Sequence, residues 1–237
     1  MIRLVKLVLA GVPLGNPGDA TIRLIEAIKE AQVIAAEDTR KFQRLCQDLQ
    51  IKCNAKLISF FEGNESDRTE SLLAELQGGS TVLVVTDAGM PTISDPGFKL
   101  VRAAVEAQIP VQVLPGPSAV TTALALSGLP TDRFCFEGFA PRTQGAREKF
   151  FNNLKFEART IVFFEAPHRL LETLESAIAI LGSERNAVLC REMTKTYEET
   201  IRGTLGEIQS WANSKEILGE ITIVIAGAIE GAREISQ

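Results

Sequence analysis

The first half of the chain alternates short apolar runs with amphipathic stretches, a pattern typical of a parallel sheet covered by helices. Runs such as "TVLVV" are β-branched and apolar enough for strands that are buried on both faces. Asp19, Asp95 and Pro117 stand where a helix N-cap or a first helical residue is expected. The pattern predicts strands at 2–9, 33–36, 57–59, 81–86 and 111–114, and helices at 20–31, 67–77, 97–107 and 117–127.

The pattern changes near residue 130, where "LSGLPTDRFCFEGFAPR" resembles a hinge into a second unit. Strands are predicted at 133–137, 160–165, 187–192, 198–202 and 220–226, with few helices among them, notably 168–181 and 204–213. We therefore predict an α/β protein of two α/β domains. Residues 1–118 would form a mostly parallel sheet with helices on both faces, and residues 119–237 a domain with a mixed sheet.

Composition is that of a soluble globular protein, with 45% apolar and 23% charged residues. The net charge of −5 argues against a non-specific nucleic-acid binder. Two segments are nevertheless basic: residues 40–56 carry five cations and one carboxylate, and residues 141–159 carry five cations and two carboxylates. They indicate either a localised anionic partner or two ordinary solvated faces.

Neither a membrane span nor a metal site is indicated by the sequence. No apolar run approaches the ~20 residues of a membrane span, and Lys6 interrupts the opening apolar run, which favours a first core strand over a signal peptide. The four cysteines form no C-x-x-C pair and only one histidine exists. Buried thiols of a cytoplasmic protein are therefore the preferred interpretation.

The polar loops after the strands are the candidates for chemistry. "AGVPLGNPGD" (10–19) imitates a dinucleotide-binding loop, but its glycine spacing and its prolines do not fit that fingerprint. "AAEDTRK" (35–41) ends the second strand, where a ligand crevice of an open sheet is expected. Asp38, Thr39 and Arg40 are thus candidates for substrate contact. The alternative is that Asp38 or Thr39 caps a helix while Arg40 pairs with a carboxylate.

Two further loops, "DAGMPTISDPG" and "LPGPSAV", follow strands and are rich in glycine and proline. Rigid turns of this kind would present free N–H and C=O groups to a ligand such as a nucleoside with an amino-acid tail. No G-x-S-x-G elbow occurs, so nucleophilic hydrolysis is poorly supported. His168 in "FFEAPHRLL" is more typical of packing or capping than of function, and Arg169 beside it suits an anionic ligand better.

Taken together, these motifs resemble a known family. "PLGNPGD", "AAEDTR", "DAGMPTISDPG", "PGPSA", "LPTDRFCFEGFAPR", "FFEAPHR" and "REMTKTYEE" follow one another in the order seen in the bacterial small-subunit ribosomal RNA methyltransferases of the tetrapyrrole methylase superfamily. Val12, Pro17, Met90 and Thr92 depart from the usual family residues. The resemblance implies S-adenosylmethionine in a cleft between the two domains of a homodimer. It also implies 2′-O-methylation of a cytidine in 16S rRNA, with the assembled 30S subunit expected as substrate.

The resemblance also implies roles for individual residues. Asp38 is the first candidate for the catalytic base, followed by Glu37, Lys195 and His168. Residues expected to bind the cofactor are Ala88, Gly89, Ile93, Ser94, Asp95, Ser118, Ala119, Phe164, Glu165, Met193, Glu220 and Ile221. Residues expected to bind the substrate are Pro13, Asn16, Thr39, Arg40, Arg142, His168 and Arg169, with Lys195 as a further phosphate contact. Rival interpretations are a tetrapyrrole or diphthine methylase, a non-catalytic nucleotide-binding module and a dehydrogenase.

Overall fold

The computed structural model of the protein describes residues 5–228. The chain divides into two compact units, residues 1–118 and residues 119–237. Each unit contains one five-stranded sheet flanked by helices. The fold class predicted from the sequence, α/β with a parallel first sheet and a mixed second sheet, is confirmed.

In the first unit the strands are all parallel, in the order β3-β2-β4-β1-β5. Three of them are buried along their whole length, as expected for apolar strands covered on both faces. Because the strands are parallel, the loops that follow them meet at one edge of the sheet. The strands are β1 (Leu7–Ala10), β2 (Val33–Ala36), β3 (Lys56–Ser59), β4 (Val82–Val85) and β5 (Val111–Leu114).

Four helices cover the two faces of this sheet. They are α1 (Ile22–Glu30), α2 (Thr39–Asp48), α3 (Glu65–Gln77) and α4 (Phe98–Glu106). Leu24 and Ile28 of α1 and Phe42 of α2 share a core with Val8 and Leu83 on one face. The core of the opposite face consists of Leu72 and Leu76 of α3, Leu100 of α4, and Val82, Val84 and Phe60. Burial of these side chains is the main stabilising contribution to the unit.

The second unit has the strand order β6-β7-β10-β8-β9. β6 and β7 are parallel, and the other three pairs are antiparallel. In this arrangement the end of β7, the start of β10 and the end of β8 lie side by side, since Ile221 pairs with both Glu165 and Arg191. The strands are β6 (Phe134–Phe139), β7 (Thr160–Glu165), β8 (Asn186–Arg191), β9 (Glu199–Thr204) and β10 (Ile221–Ile225).

The helices of the second unit are α5 (Ala119–Ser127), α6 (Gln144–Leu154), α7 (Leu170–Leu181) and α8 (Leu205–Asn213). Val120, Ala123 and Leu124 of α5 pack on one face of the sheet with Val162, Val188 and Val224. Phe151, Leu174 and Ile208, one from each of the other three helices, pack on the opposite face. One sheet face is therefore covered by a single short helix.

Most predicted boundaries agree with the observed ones to within two residues, but two helices were missed. α2 and α6 lie in the two basic segments, where few apolar residues mark the helical period. α2 buries only Phe42 and Cys46, and α6 buries Phe151, Leu154 and an arginine, Arg147. The first predicted strand, 2–9, was wrong at its start among the described residues, because β1 begins at Leu7; residues 2–4 lie outside the described part.

The predicted helix caps were also wrong. Thr21, not Asp19, accepts the capping hydrogen bond of α1, from the N–H of Leu24. α4 begins at Phe98 after Gly97, so Asp95 and Pro96 belong to the preceding loop. Pro117 does not open α5, which begins two residues later at Ala119.

The thiols are free, and their environment predicts low reactivity. Burial raises the pKa of Cys46, Cys135 and Cys190 to about 11, while Cys53 is only half-buried. Because the thiolate is the reactive form, we expect only Cys53 to react quickly with a disulfide reagent at neutral pH. Titration of the native protein should show one fast thiol, and titration in denaturant should show four. Three or four fast thiols in the native protein would contradict the burial described here.

Candidate functional site

The loops after β1 and β5 cross each other at two glycines. A Cβ atom on Gly116 would lie 2.8 Å from the carbonyl oxygen of Gly11, and one on Gly11 would lie 2.7 Å from Cα of Gly116. The N–H of Gly11 also donates to the carbonyl oxygen of Leu114, at 3.1 Å. Only glycine permits two backbones to pass this closely. The two glycines therefore fix the relative position of the two loops.

This crossing gives a testable prediction for Gly116→Ala. The new methyl group would overlap backbone atoms, which have little freedom to move, so we expect a loss of about 1–3 kcal/mol in unfolding free energy. Calorimetric melting should detect it, and amide exchange should become faster at Val12 and Gly89. Gly145→Ala is the matched control, because a Cβ atom there meets open space. Equal melting temperatures for the two variants would contradict the crossing.

The loop of residues 87–97, after β4, is held by hydrogen bonds within itself and by hydrogen bonds to Val12 in the loop after β1. Gly89 exchanges two backbone hydrogen bonds with Val12, at 2.9 and 3.2 Å, and the N–H of Ile93 donates to Met90. Backbone φ is positive at Thr92 and Ser94, a conformation that is strained for these residues and often marks functional loops. Both backbone groups of Gly89 and the N–H of Ile93 are therefore engaged, unlike the free backbone groups predicted for these turns. The side chain of Ile93 is 43% exposed and remains available.

Glu65, which the sequence did not single out, anchors the far end of this loop. Its carboxylate is buried and accepts hydrogen bonds from the N–H groups of Gly97 and Lys99, at 2.9 and 3.0 Å. These are N–H groups at the start of α4, where a negative charge is favoured by the helix dipole. Glu65 lies at the start of α3, more than thirty positions earlier, so no local signal in the sequence reveals the contact.

Three carboxylates meet where β2 and β4 end side by side. The Glu37 carboxylate accepts the N–H of Asp87 at 3.0 Å, and the Asp87 carboxylate accepts the N–H of Asp38 at 3.1 Å. Asp87 also accepts a hydrogen bond from Nζ of Lys41 at 2.8 Å. These reciprocal hydrogen bonds join β2 and β4 beyond the last backbone pair of the two strands, Ala36 with Val85. Asp87 thus belongs to this cluster, although the sequence did not indicate it as a site residue.

Asp38 caps a helix and Arg40 pairs with a carboxylate, which is the alternative that the sequence left open. Asp38 caps α2 by accepting the N–H of Arg40, and its carboxylate also accepts two hydrogen bonds from the Arg40 guanidinium, at 2.8 and 3.1 Å. The side-chain and backbone hydrogen bonds from Arg40 lower the pKa of Asp38 well below its usual range. Thr39 is the first residue of α2. A carboxylate of such low pKa is a weak proton acceptor.

The pKa of Glu37 is shifted in the opposite direction to that of Asp38. It is half-buried, and desolvation raises its pKa above the ordinary value, helped by the nearby charge of Asp87 and opposed by the hydrogen bond from the Asp87 N–H. Only one of its oxygens is used by that hydrogen bond. Of the two neighbouring carboxylates, Glu37 is therefore the stronger base.

At the end of β7 in the second unit, Glu165 and Arg169 form a buried ion pair. Their side chains are 0% and 14% exposed, and the closest oxygen and nitrogen atoms are 2.5 Å apart. Glu165 also accepts hydrogen bonds from the hydroxyl of Thr173 and the N–H of Ala166. Arg169 in addition donates to the carbonyl oxygen of Ala140. Both side chains, predicted to bind cofactor and phosphate, have partners within the unit.

A second ionic cluster lies at the adjoining ends of β8 and β10. Nζ of Lys195 is 2.8 Å from Glu192 and 3.0 Å from Glu220. Burial favours the neutral amine, but the hydrogen bond to Glu192 and the charge of Glu220 outweigh it and raise the pKa of Lys195. Lys195 therefore stays protonated at neutral pH, and an ammonium group is a poor proton acceptor. The loop has positive φ at Glu192 and Thr194, on either side of the buried Met193.

The remaining predicted residues have varied surroundings. Pro13 is buried, and Asn16 accepts the N–H of Gly18 at 2.9 Å in a short 3-10 helix. Arg142 and His168 are exposed. Phe164 and Ile221 lie on β7 and β10, next to the two ionic clusters. Ala88, Asp95, Ser118 and Ala119 are half-buried, and Ser94 is exposed.

The basic segments are less uniform than their composition indicates. In the first segment, Arg40, Lys41, Arg44 and Lys56 are exposed and each forms an ion pair with a carboxylate. In the second, Arg147 is buried against Glu172 and Arg159 pairs with Glu157. The exposed cations of the second segment without an ion pair are Arg142, Lys149 and Lys155.

Two further findings concern residues 5–228. No three His, Cys, Asp or Glu side chains there are arranged to hold a metal ion. In the same part of the chain, no helix has both the length and the apolar character needed to cross a membrane.

Comparison with known proteins defines the class. The family model of tetrapyrrole (corrin/porphyrin) methylases matches residues 6–209, and the chain belongs to this family. It is a methyltransferase of the kind that uses an S-adenosylmethionine-type methyl donor.

Particular relatives are similar over nearly the whole chain, and all three cited here are named ribosomal RNA small subunit methyltransferase I. The protein of Mycobacterium bovis is 51% identical over 94% of this chain and 78% of its own length. The protein of Thermotoga maritima is 45% identical over 94% of this chain and 98% of its own length. The protein of Escherichia coli O157:H7 is 43% identical over 94% of this chain and 78% of its own length.

Solved structures support the fold. The methyltransferase CobJ superposes with a TM-score of 0.72 at 18% identity, covering 95% of both chains. Diphthine synthase superposes with a TM-score of 0.65 at 14% identity, covering 93% of this chain and 89% of its own. At such low identity these structures inform on the fold alone.

Proposed function

We propose that the protein transfers a methyl group from S-adenosylmethionine to the ribose 2′-oxygen of a cytidine in 16S rRNA. The observation that carries this proposal is the high identity, over almost the whole chain, to relatives named as small-subunit ribosomal RNA methyltransferases. The quoted loop motifs, which lie at the ends of strands, support it.

The residues present suit the proposed cofactor. The exposed residues Ile93, which is apolar, and Ser94, which carries a hydroxyl, are neighbours in a strained loop, and together they suit an adenosine, which has apolar and polar parts. The glycine crossing brings the loops after β1 and β5 together beside Met90 of that loop. We propose that Ala88, Gly89, Ile93, Ser94, Asp95, Ser118 and Ala119 hold the cofactor, together with Phe164, Met193, Glu220 and Ile221 of the second unit.

The bound cofactor supplies an activated methyl group on a sulfonium. What the protein must add is the placement of the ribose oxygen in line with that methyl group and an acceptor for the proton that the oxygen loses. We propose Glu37 as the acceptor, in preference to Asp38, because of its raised pKa and its uncommitted oxygen. Asp38 and Arg40 would instead fix the start of α2.

We further propose that the substrate is the assembled 30S subunit and that the protein acts in the cytoplasm as a homodimer. Naked RNA is bound mainly through charge. In the two basic segments, many of the cations already have carboxylate partners, which weakens such attraction. A preformed particle adds shape contacts to that weak attraction.

The direct test is transfer of a labelled methyl group from S-adenosylmethionine to 30S subunits isolated from cells that lack this protein. Nuclease digestion and mass spectrometry should identify one 2′-O-methylcytidine in 16S rRNA. Parallel reactions should contain deproteinised 16S rRNA and uroporphyrinogen III. Label in uroporphyrinogen and none in either RNA sample would overturn the proposal. Faster labelling of deproteinised RNA than of subunits would overturn only the preference for the particle.

A further inference from the structure

The last strand residues of β6 contain a bulge that redirects one aromatic side chain. The register between β6 and β7 shifts between Phe136 and Phe139, and Gly138 at the shift has φ of +68°. A positive φ is readily adopted only by glycine. One extra residue reverses the alternation of side chains, so that Phe136 and Phe139 lie on the same face. Bulges of this kind often aim a side chain near a functional site.

The redirected ring joins an aromatic group that is only partly covered. Phe136 and Phe139 both make edge-to-face contacts with Phe164, with ring centroids 4.9 and 5.5 Å away. This is the sheet face on which α5 packs. Phe139 is nevertheless 53% exposed. We call Phe136, Phe139 and Phe164 the aromatic platform.

The segment that follows Phe139 is fixed by two arginines. Arg169 donates to the carbonyl oxygen of Ala140, and the buried Arg147 donates to the carbonyl oxygen of Arg142, at 3.1 and 2.7 Å. The N–H of Ala140 donates to the carbonyl oxygen of Phe164. The side chain of Arg142 itself is exposed. An exposed ring and an exposed guanidinium are therefore held three residues apart on a backbone that loses little entropy on binding.

We propose that the aromatic platform stacks against a base of the RNA substrate, through the exposed ring of Phe139, while Arg142 binds a neighbouring phosphate. An aromatic face next to a cation is the arrangement with which proteins hold unpaired nucleotides. The inference deepens the proposed function and rests on it, since it names how that site takes hold of RNA.

The test compares Phe139→Ala with Phe139→Trp in the full-length protein. Stacking predicts that Phe139→Ala raises the KM for 30S subunits by about 10- to 100-fold and that Phe139→Trp retains or restores affinity. The maximal rate and the calorimetric affinity for S-adenosylmethionine should change little. Arg142→Gln should lower the slope of log affinity against log salt by about 0.7 to 0.9, as expected for one lost phosphate contact.

Phe134→Ala is the matched control, since Phe134 lies on the same strand, is 40% exposed and sits at the opposite end. An unchanged KM for Phe139→Ala, or equal effects at both positions, would overturn the proposal. If Phe139→Ala weakens cofactor binding and leaves the KM for subunits unchanged, the ring contacts the adenine of the cofactor. That result would also overturn the proposal. Filter binding of 30S subunits by each variant needs no methyl transfer. If the wild type transfers none, the proposed function fails while this assay still decides whether Phe139 contacts RNA.

Discussion

Glu37→Gln is expected to reduce the maximal rate of methyl transfer by about 10²- to 10⁴-fold, the usual contribution of a general base. Glutamine keeps an oxygen that can accept the N–H of Asp87, so the junction of β2 and β4 should persist. What it removes is the ability to take up a proton. The affinity for S-adenosylmethionine, measured by calorimetry, should stay close to that of the wild type.

Asp38→Asn is the matched control, because it neutralises the next residue and keeps a good N-cap for α2. It should retain most of the activity. The pH profile gives a second criterion: protonated Glu37 cannot accept a proton, so the wild-type rate should fall as the pH drops through the raised pKa of Glu37. Asp38→Asn should keep that decline and Glu37→Gln should lack it. An Asp38→Asn variant that loses as much activity as Glu37→Gln would return the role to Asp38.

Arg169→Met is expected to lower the unfolding free energy of the second unit by about 3–5 kcal/mol. The substitution leaves the Glu165 carboxylate, which is 0% exposed, without its cation. It also removes the donor to the carbonyl oxygen of Ala140. Trp211, the one tryptophan of the chain, lies on α8 in the second unit and packs against its core, so its fluorescence reports on this unit in the full-length protein.

The double variant Glu165→Gln with Arg169→Met separates charge from packing. The glutamine oxygen can still accept the N–H of Ala166, and its amide nitrogen can donate to the Thr173 hydroxyl in place of the carboxylate oxygen that accepted from it. The double variant should therefore be more stable than Arg169→Met alone. Arg142→Met, at an exposed arginine, should change stability by less than about 0.5 kcal/mol. A loss of similar size for the exposed and the buried arginine would refute the buried ion pair. So would a double variant less stable than Arg169→Met.

The predicted elements differ in how well they could be seen in the sequence. Strands such as β4 and β10 are continuous apolar runs, and α7 carries a clear helical stripe, so their positions follow from burial alone. α2 and α6 could not be found in the same way. They lie against the sheet through few apolar side chains, and α6 buries the arginine Arg147 against Glu172 of α7. A buried arginine looks like a surface charge until its partner helix is known.

The same limit applies to the site. Glycine and proline reveal that a loop is rigid but not which backbone it crosses, so the loops could be located while the contact of Gly11 with Gly116 could not. Ion pairs raise a similar difficulty. By its chemistry Arg169 suits a phosphate, yet in the fold it forms an ion pair with Glu165, four residues earlier. Asp87 and Glu65 act on residues about 32 to 50 positions away.

The sequence by itself determined the α/β class, the order of most elements, the loops that carry the candidate chemistry and the resemblance to a methylase family. These depend on local patterns of burial and on turn residues, which are properties of neighbours along the chain. Only the tertiary structure decided that Glu37 is the more basic of two adjacent carboxylates and that Arg169 is buried. It also decided that a bulge exposes Phe139. The pKa of a group and the accessibility of a side chain depend on desolvation and on charges that only folding brings close.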